Sequence, residues 1–402
     1  MRSEKISFEN KKREHLSGIL DMPINGRPAA YAIFAHCFTC SKTLTPVVNI
    51  SRALTQHNIA VFRFDFTGLG ESEGDFSDTN FSTNINDLVE AYEYLEEHHE
   101  APKILIGHSL GGAAVLYTAG QLSGIEAVAT IGAPADPPHV KALLKEKIED
   151  IKESGEATVD IGGRSFKIKQ QFLDDIDQFD SDEIIGQLGK ALLVLHSPQD
   201  KIVGIENAAK IYTAAKHPKS FITLDGADHL LFNKEDSNYV GLMIANWVTR
   251  YIDLSQYQET MDDEEVMTRT GAQGYTTEIA IGQHRMIADE PTSVGGSNLG
   301  PTPYGYLSAS LGACTSMTLR MYADQKKWPL EEVEVRLRHE KKHREDCETE
   351  SKTKIDHISR ELRLTGDLTE EQRQRLLEIA DRCPVHRSLH GQIVVETILK
   401  ES

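Results

Sequence analysis

The sequence predicts an α/β fold, a mostly parallel sheet with helices on both faces, followed by a smaller α+β domain. Three observations predict it. Up to about residue 255, short β-branched runs alternate with amphipathic helical stretches. A glycine-rich serine turn, "LIGHSLGG", stands between one of those runs and a helical stretch. Near Asp253 the chain changes character, becoming polar, acidic and poor in apolar periodicity through "DLSQYQETMDDEEVM".

In order, the strands expected are Tyr31 to Ala35, Ala60 to Phe64, Lys103 to Ile106, Ala127 to Ile131, Ala191 to His196 and Ser220 to Leu224. Helices are expected between them, for example over Asn84 to His98, Leu110 to Gly120 and Gly204 to Ala215. One segment, 135–188, breaks the rhythm. It carries a helix-like "VKALLKEKIEDIKE" and then "ATVDIGGRSFKIK", where Gly162-Gly163 sits between alternating residues as in a hairpin. This reads as a lid-like insertion. The expected organisation is a first domain over 1–255, a linker over 256–265 and a second domain over 266–402. In the second, a strand is expected around Tyr275 to Ile281. A long helix over Tyr304 to Lys327 should stop at Trp328-Pro329, because proline disfavours helical backbone in the residue before it. The alternation of Val333, Val335 and Leu337 reads as a strand, Thr369 with Gln372 as a capping box opening a helix, and Ile393 to Ile398 as a last strand.

Composition excludes some functions. The 402 residues carry a formal charge of -19, and an isoelectric point near 5.3 leaves no overall basic surface for phosphates or anionic lipid. Neither nucleic acid nor membrane is expected as a partner. The opening "MRSEKISFENKKREH" is charged from the start, and no run of about eighteen apolar residues occurs, so a soluble, cytoplasmic protein is expected. Five cysteines in a chain of this length do not make a disulfide framework; those that matter should be reactive thiols.

Gly107, Ser109 and Gly111 fit G-x-S-x-G in a strand-turn-helix context, which needs small residues around the serine because the turn is strained. A serine alone is a poor nucleophile. The base and acid should follow it in the order Ser, Asp, His, each after a strand. Asp200, in "PQDKIV", and His229, in "LDGADH", satisfy that order, with Asp225 and Asp228 as competing acids. His229 should take the Ser109 proton and Asp200 should fix the imidazole tautomer. With these residues in place, 1–255 resembles an α/β-hydrolase, and "RFDFTGLGESEG" at Arg63 to Gly74 is similar to the D-x-x-G-x-G-x-S stretch after the fourth strand of such enzymes. The resemblance implies an oxyanion hole built from the backbone amides of Phe38 and Leu110. Its loop commonly reads H-G-F-x-G, and here both glycine positions are cysteine, Cys37 and Cys40.

The C-x-x-C of "HCFTC" has three readings: an oxyanion loop with incidental cysteines, a redox dithiol, or half of a metal site. For the metal reading the sequence offers no second ligand pair nearby. His339 and His343 match H-E-x-x-H, but the preceding residues alternate with period two. On a strand the two imidazoles would lie about 13 Å apart, so no zinc hydrolase is expected. No cofactor or metal is expected at all.

Cys314 falls mid-helix on the face of Leu307, Leu311 and Met321, which by spacing alone fits inert packing, and Cys383 falls just past a helix end in "CPVH". Together, "GPTPYGYLSASLGACTSMTLRMYA" and "CPVH" resemble the osmotically inducible protein C (OsmC) and organic hydroperoxide resistance family over roughly 266–402. The resemblance implies that Cys314 attacks an organic hydroperoxide and Cys383 resolves it. The resulting disulfide would be reopened by a small dithiol or lipoyl-type reductant, in an intertwined homodimer. Such proteins usually carry a glutamate ten residues before the attacking cysteine, paired with an arginine; Tyr304 stands there, and Arg269, Arg285 and Arg320 are the arginine candidates. Cys347 reads as an exposed bystander. The order of modules resembles a bacterial fusion of hydrolase and OsmC-like domains. The expectation is a serine hydrolase for a small ester or thioester joined to a thiol peroxidase. The alternatives are a hydrolase fold acting only as a docking module, or a C-terminal half serving only to dimerise.

Overall fold

The computed structural model describes residues 2–24, 26–37, 40–138, 144, 147–161, 164–179, 181–254, 265–271, 274–282, 284–343 and 354–399. Tertiary contacts divide the chain into two units, 1–271 with 278–286, and 272–277 with 287–402. Most of the expected linker, 256–264, lies outside the described residues, as does Cys347.

The first unit opens with a hairpin that its charge-rich sequence hides. Strands β1 (Arg2–Glu9) and β2 (His15–Met22) pair antiparallel from Arg2↔Met22 to Glu9↔His15, and alternate residues Ile6, Phe8, Leu16 and Leu20 are buried. The order continues with β3 (Ala30–Ala35), α1 (Thr45–Gln56), β4 (Ile59–Phe64), α2 (Phe81–His98), β5 (Ile104–His108), α3 (Leu110–Ala119) and β6 (Ala127–Ile131). After these come α4 (Ile148–Ser154), β7 (Glu156–Ile161), β8 (Arg164–Lys169), α5 (Gln170–Ile176), α6 (Ser181–Gly186), β9 (Ala191–His196), α7 (Glu206–Ala214), β10 (Lys219–Thr223) and α8 (Lys234–Val248). Eight strands form one sheet in the order β1-β2-β4-β3-β5-β6-β9-β10, antiparallel at the β1-β2-β4 edge and parallel from β4 onward. Strands β3, β4, β5, β6 and β9 are buried at every position, as a sheet covered on both faces requires. Their side chains alternate between two cores: Ile33, Phe62 and Phe64 pack with residues of α2 and α3, and Phe34, Val61 and Ile106 with residues of α1 and α8. All six strands expected in this region form.

The 135–188 segment does contain a hairpin, β7 with β8, in register from Glu156↔Lys169 to Ile161↔Arg164. It is built into the domain. Phe166 meets Phe76 edge-on, Ser82 binds Asp175 through its backbone and hydroxyl at 2.8 and 2.6 Å, and Ile168, Phe172 and Ile176 join the core of α2 and α3.

Strands β11 (Val266–Thr270), β12 (Thr277–Ile281) and β13 (His284–Ala288) form a three-stranded sheet in that order. Helix α9 (Pro303–Lys326) is capped by Thr302, whose hydroxyl accepts from Gly305 N, and it ends with Lys327 as C-cap directly before Trp328-Pro329, as expected. Strands β14 (Leu330–His343) and β15 (Lys354–Gly366) pair antiparallel. Helix α10 (Glu370–Ala380) opens on the Thr369/Gln372 capping box, and α11 (Pro384–His390) is capped by Cys383. Leu319, Ala323, Leu330, Leu376 and Ile379 make this core. The strand expected over Ile393 to Ile398 does not form. Strand propensity needs a ladder partner to be realised. Among the described residues β14 and β15 pair with each other, and this segment stays outside helix and sheet, with Val394 74% and Val395 81% exposed. Among the described residues no helix is long and apolar enough to cross a membrane.

Candidate active sites

Ser109 follows β5 and caps α3 with φ 56°, a left-handed conformation costly for a residue with a side chain. The neighbouring glycines are a steric requirement. A Cβ on Gly107 would lie 2.6 Å from the Gly112 Cα, and one on Gly111 would lie 2.5 Å from the His36 carbonyl oxygen. The backbone of the turn is thus pressed against the end of β3, and Ser109 N donates to Ile131 O at 2.9 Å.

The three residues expected to act together do meet. His229 Nε2 lies 3.0 Å from Ser109 Oγ, and His229 Nδ1 lies 2.6 Å from Asp200 Oδ2. Asp200 is buried, and its other oxygen accepts from the amides of Ile202 (2.8 Å) and Val203 (3.0 Å). Burial pushes the Asp200 carboxyl up. The hydrogen bond and charge of His229, with the two amides, outweigh that and hold it below the usual carboxylate range. The competing Asp228 is engaged elsewhere, accepting from Leu230 N and Phe232 N at 2.8 and 3.1 Å. As the first residue of α3, Leu110 has an amide without an intrahelical acceptor, which leaves it available to an oxyanion. Phe38 lies outside the described residues.

Two buried histidines stand behind this site. His108 Nε2 donates to the carbonyl of His229 (2.7 Å), and His196 Nε2 donates to that of Val203 (2.8 Å). Burial and the neighbouring His229 push the His108 pKa down to about 3, so it is neutral at physiological pH.

The loop after β3 is pinned by a buried ionic network. Asp65 accepts from the Lys42 amide (2.7 Å), the Lys42 ammonium and the Glu71 amide (2.9 Å), while Arg63 donates to the Lys42 carbonyl and to Asp21. Gly70, at φ +56°, is the glycine that lets the chain close on the Asp65 carboxylate. The "RFDFTGLGESEG" stretch is therefore a scaffold for the loop. Within that loop Cys37 and Cys40 are disulfide-bonded, with Cα atoms 5.2 Å apart, and Cys40 N donates to Cys37 O at 3.1 Å. The fold also supplies what the sequence did not offer here, a third donor: Cys37, Cys40 and His108 bring ligand atoms within 4.8 Å of one another.

In the second unit Cys314 is half-buried on α9, Cys383 is fully buried at the start of α11, and both are free thiols. Cys383 Sγ accepts from His386 N at 3.3 Å and lies 3.7 Å from the hydroxyl of Thr315, the residue after Cys314. Of the arginines expected to serve Cys314, Arg320 is committed to the carbonyls of Leu330 and Glu331 and Arg285 to those of Gly282 and His284, while Arg269 lies on β11. Arg360, which the sequence reading did not name, is the arginine bonded to Thr315, the residue after Cys314. It donates to Thr315 Oγ1 (3.0 Å), to Ala380 O (3.1 Å) and to Asp381 (2.5 Å). Its signal was the period-two pattern of Ile358, Arg360 and Leu362, which puts all three on one face of β15. That face lines a cavity of about 640 Å³ shared with Leu307, Leu311 and His386. Tyr304, at the expected glutamate position, stacks on His339 with centroids 4.2 Å apart. His339 and His343 are on strand β14, not on the helix that an H-E-x-x-H site needs.

Comparison with known proteins agrees with both units. The family described as "Serine aminopeptidase, S33" matches residues 40–152, and that described as "OsmC-like protein" matches 295–398. The esterase domain of a Rhodothermus marinus protein is 48% identical, with TM-score 0.53, over 63% of this chain and all of that one. Est1E from Butyrivibrio proteoclasticus, solved with ferulic acid bound, shares the fold at 20% identity and TM-score 0.52, over 61% of this chain and 99% of its own. The uncharacterized protein YfhR of Salmonella typhimurium is 26% identical over 230 residues, 57% of this chain and 75% of its own.

Proposed function

The chain belongs to the α/β-hydrolase family and carries an OsmC-like domain C-terminal to the hydrolase fold in sequence, and on that premise we propose that it is a serine hydrolase for small carboxylic esters or thioesters joined to an organic hydroperoxide reductase. The observation that carries the first half is the unbroken chain from Ser109 Oγ through His229 to Asp200, at 3.0 and 2.6 Å. Ser109 Oγ attacks the acyl carbon while His229 Nε2 takes its proton, and the Leu110 and Phe38 amides receive the charge that develops on the carbonyl oxygen. Asp200 holds the proton on Nδ1, so that Nε2 is free to accept. The imidazolium then protonates the departing alkoxide or thiolate, and water cleaves the acyl-enzyme by the same route. The Rhodothermus esterase domain supports the substrate class. A fluorophosphonate probe tests it: Ser109 should be labelled in the folded protein, and S109A should be neither labelled nor active on p-nitrophenyl acetate. Absence of label in folded wild-type protein overturns this half.

In the second half, the Cys314 thiolate attacks the peroxide oxygen, giving a sulfenic acid and an alcohol. The Cys383 thiol displaces water to close a disulfide, and a small dithiol or lipoyl-type reductant reopens it. Three features support this reading: Cys383 beside Thr315, the Arg360 guanidinium on that hydroxyl, and the leucine-lined cavity next to them, which suits an organic peroxide. After about one equivalent of cumene hydroperoxide, non-reducing digestion and mass spectrometry should find Cys314 bonded to Cys383. Both thiols remaining free would refute it. The exposed run of Ile393, Val394, Val395, Ile398 and Leu399 favours a homodimer that covers it, a mass that light scattering reads directly.

A further inference from the structure

We propose that the reduced Cys37–Cys40 pair, with His108, is a binding site for a zinc-class cation beside the hydrolase nucleophile, and that the disulfide is its oxidised, metal-free alternative. The donor set fits. Two thiols separated by two residues and one imidazole, all three residues at least nine-tenths buried, bring their ligand atoms within 4.8 Å of one another. Two sulfurs and a nitrogen select zinc, cadmium or copper(I) over magnesium or calcium, which take oxygen. Three protein ligands leave a fourth position for water.

The geometry around the donors is prepared for a ligand. The His229 carbonyl can only accept a hydrogen bond, so His108 Nε2 carries the proton and Nδ1 keeps its lone pair. A ligating histidine commonly has its other nitrogen fixed in this way by a carbonyl or carboxylate. The turn that carries the cysteines is closed by Cys40 N to Cys37 O, its entry by His36 Nδ1 on Cys37 O (2.7 Å), and its exit by Lys42 on Asp65. Passing from disulfide to bound cation therefore asks for a change in the two cysteine side chains, with the backbone of Cys37 and Cys40 held by these bonds. Two electrons and two protons convert the disulfide to thiols; a phosphine supplies the electrons and leaves as its oxide with water's oxygen. Cation binding then releases the two thiol protons.

The test uses the full chain, reduced with a phosphine, desalted without oxygen and titrated with Co²⁺. The expected result is one equivalent bound, with a thiolate-to-metal charge-transfer band and tetrahedral d–d bands that Zn²⁺ displaces. Cys37→Ser and Cys40→Ser should each weaken binding about ten-fold or more, and diamide oxidation of the wild type should abolish it. Cys314→Ser and Cys383→Ser should leave it unchanged. Zn²⁺ should also slow diamide oxidation of the Cys37–Cys40 pair. Bands that persist in Cys40→Ser, bands lost in Cys383→Ser, or no binding by protein whose thiol count proves the pair reduced would each overturn the proposal.

Discussion

Replacing Asp200 by asparagine separates the charge of this residue from the tautomer that it enforces. Asp200 Oδ1 accepts from two amides, Ile202 N at 2.8 Å and Val203 N at 3.0 Å, while Oδ2 faces His229 Nδ1 at 2.6 Å. In asparagine only the carbonyl oxygen can satisfy those amides, so the NH₂ group must occupy the Oδ2 position and donate to Nδ1. His229 is then forced to carry its proton on Nε2, pointing at Ser109 Oγ, and cannot act as the base. A wrong tautomer of this kind costs about 10⁴ in kcat, or about 5 kcal/mol of barrier. The number of hydrogen bonds is conserved, so the folded state should lose only about 1–2 kcal/mol. The assay is kcat and KM on p-nitrophenyl butyrate beside a thermal melt, with Asp200→Ala for contrast. Alanine orphans two amides and should melt earlier than asparagine. An asparagine variant that melts like the parent and keeps a tenth of its kcat would refute the reasoning.

Other changes read other parts of the scaffold. Gly111→Ala puts a Cβ 2.5 Å from the His36 carbonyl oxygen, and overpacking of this kind costs about 1–3 kcal/mol; the hydrolase unit should unfold at lower urea and turn over more slowly, and parental stability would contradict the steric account. Lys42→Met leaves the buried Asp65 carboxylate without its ammonium, a loss of roughly 3–5 kcal/mol that adding Asp65→Asn should partly restore in the same titration. Asp87 is buried under Thr67, and its pKa is raised from 3.8 to about 6, with burial the main cause. The folded state therefore binds the proton more tightly than the unfolded state, so this contribution is full below about pH 4 and is lost as pH rises through 6. It amounts to at most about 3 kcal/mol, and Asp87→Asn should flatten the pH dependence of melting across that window.

What was legible in the sequence was what local pattern dictates. The parallel strands are unbroken apolar runs because both of their faces are covered, and such runs stand out in a single sequence. The nucleophile turn shows because its glycines answer to backbone clashes a few residues away. The β1–β2 hairpin was not read, because Ile6 and Phe8 alternate with charges on an edge whose outer face is wet. The last strand was over-read: Ile393 to Ile398 has the composition of a strand, but composition does not supply a ladder. Arg360 and His108 were missed for a common reason. Each acts on a partner that lies near it only after elements distant in sequence pack together.

The cysteines of "HCFTC" follow from the same comparison of near and far. A glycine turn is kept in place by close packing of bare backbone, as Gly111 against His36 shows on the facing side of the site. Cysteines at both flanks carry side chains that can link the two ends of the turn, beside the backbone hydrogen bond from Cys40 N to Cys37 O. The disulfide does so in the oxidised state. When it is reduced, two thiols remain beside an imidazole whose proton is already committed to the His229 carbonyl. Since His108 precedes the nucleophile and binds the backbone of the base, a cation held by His108 and the two cysteines would also bear on the separation of Ser109 and His229. On the cation proposal, the hydrolase half would have a redox state of its own, set by Cys37 and Cys40.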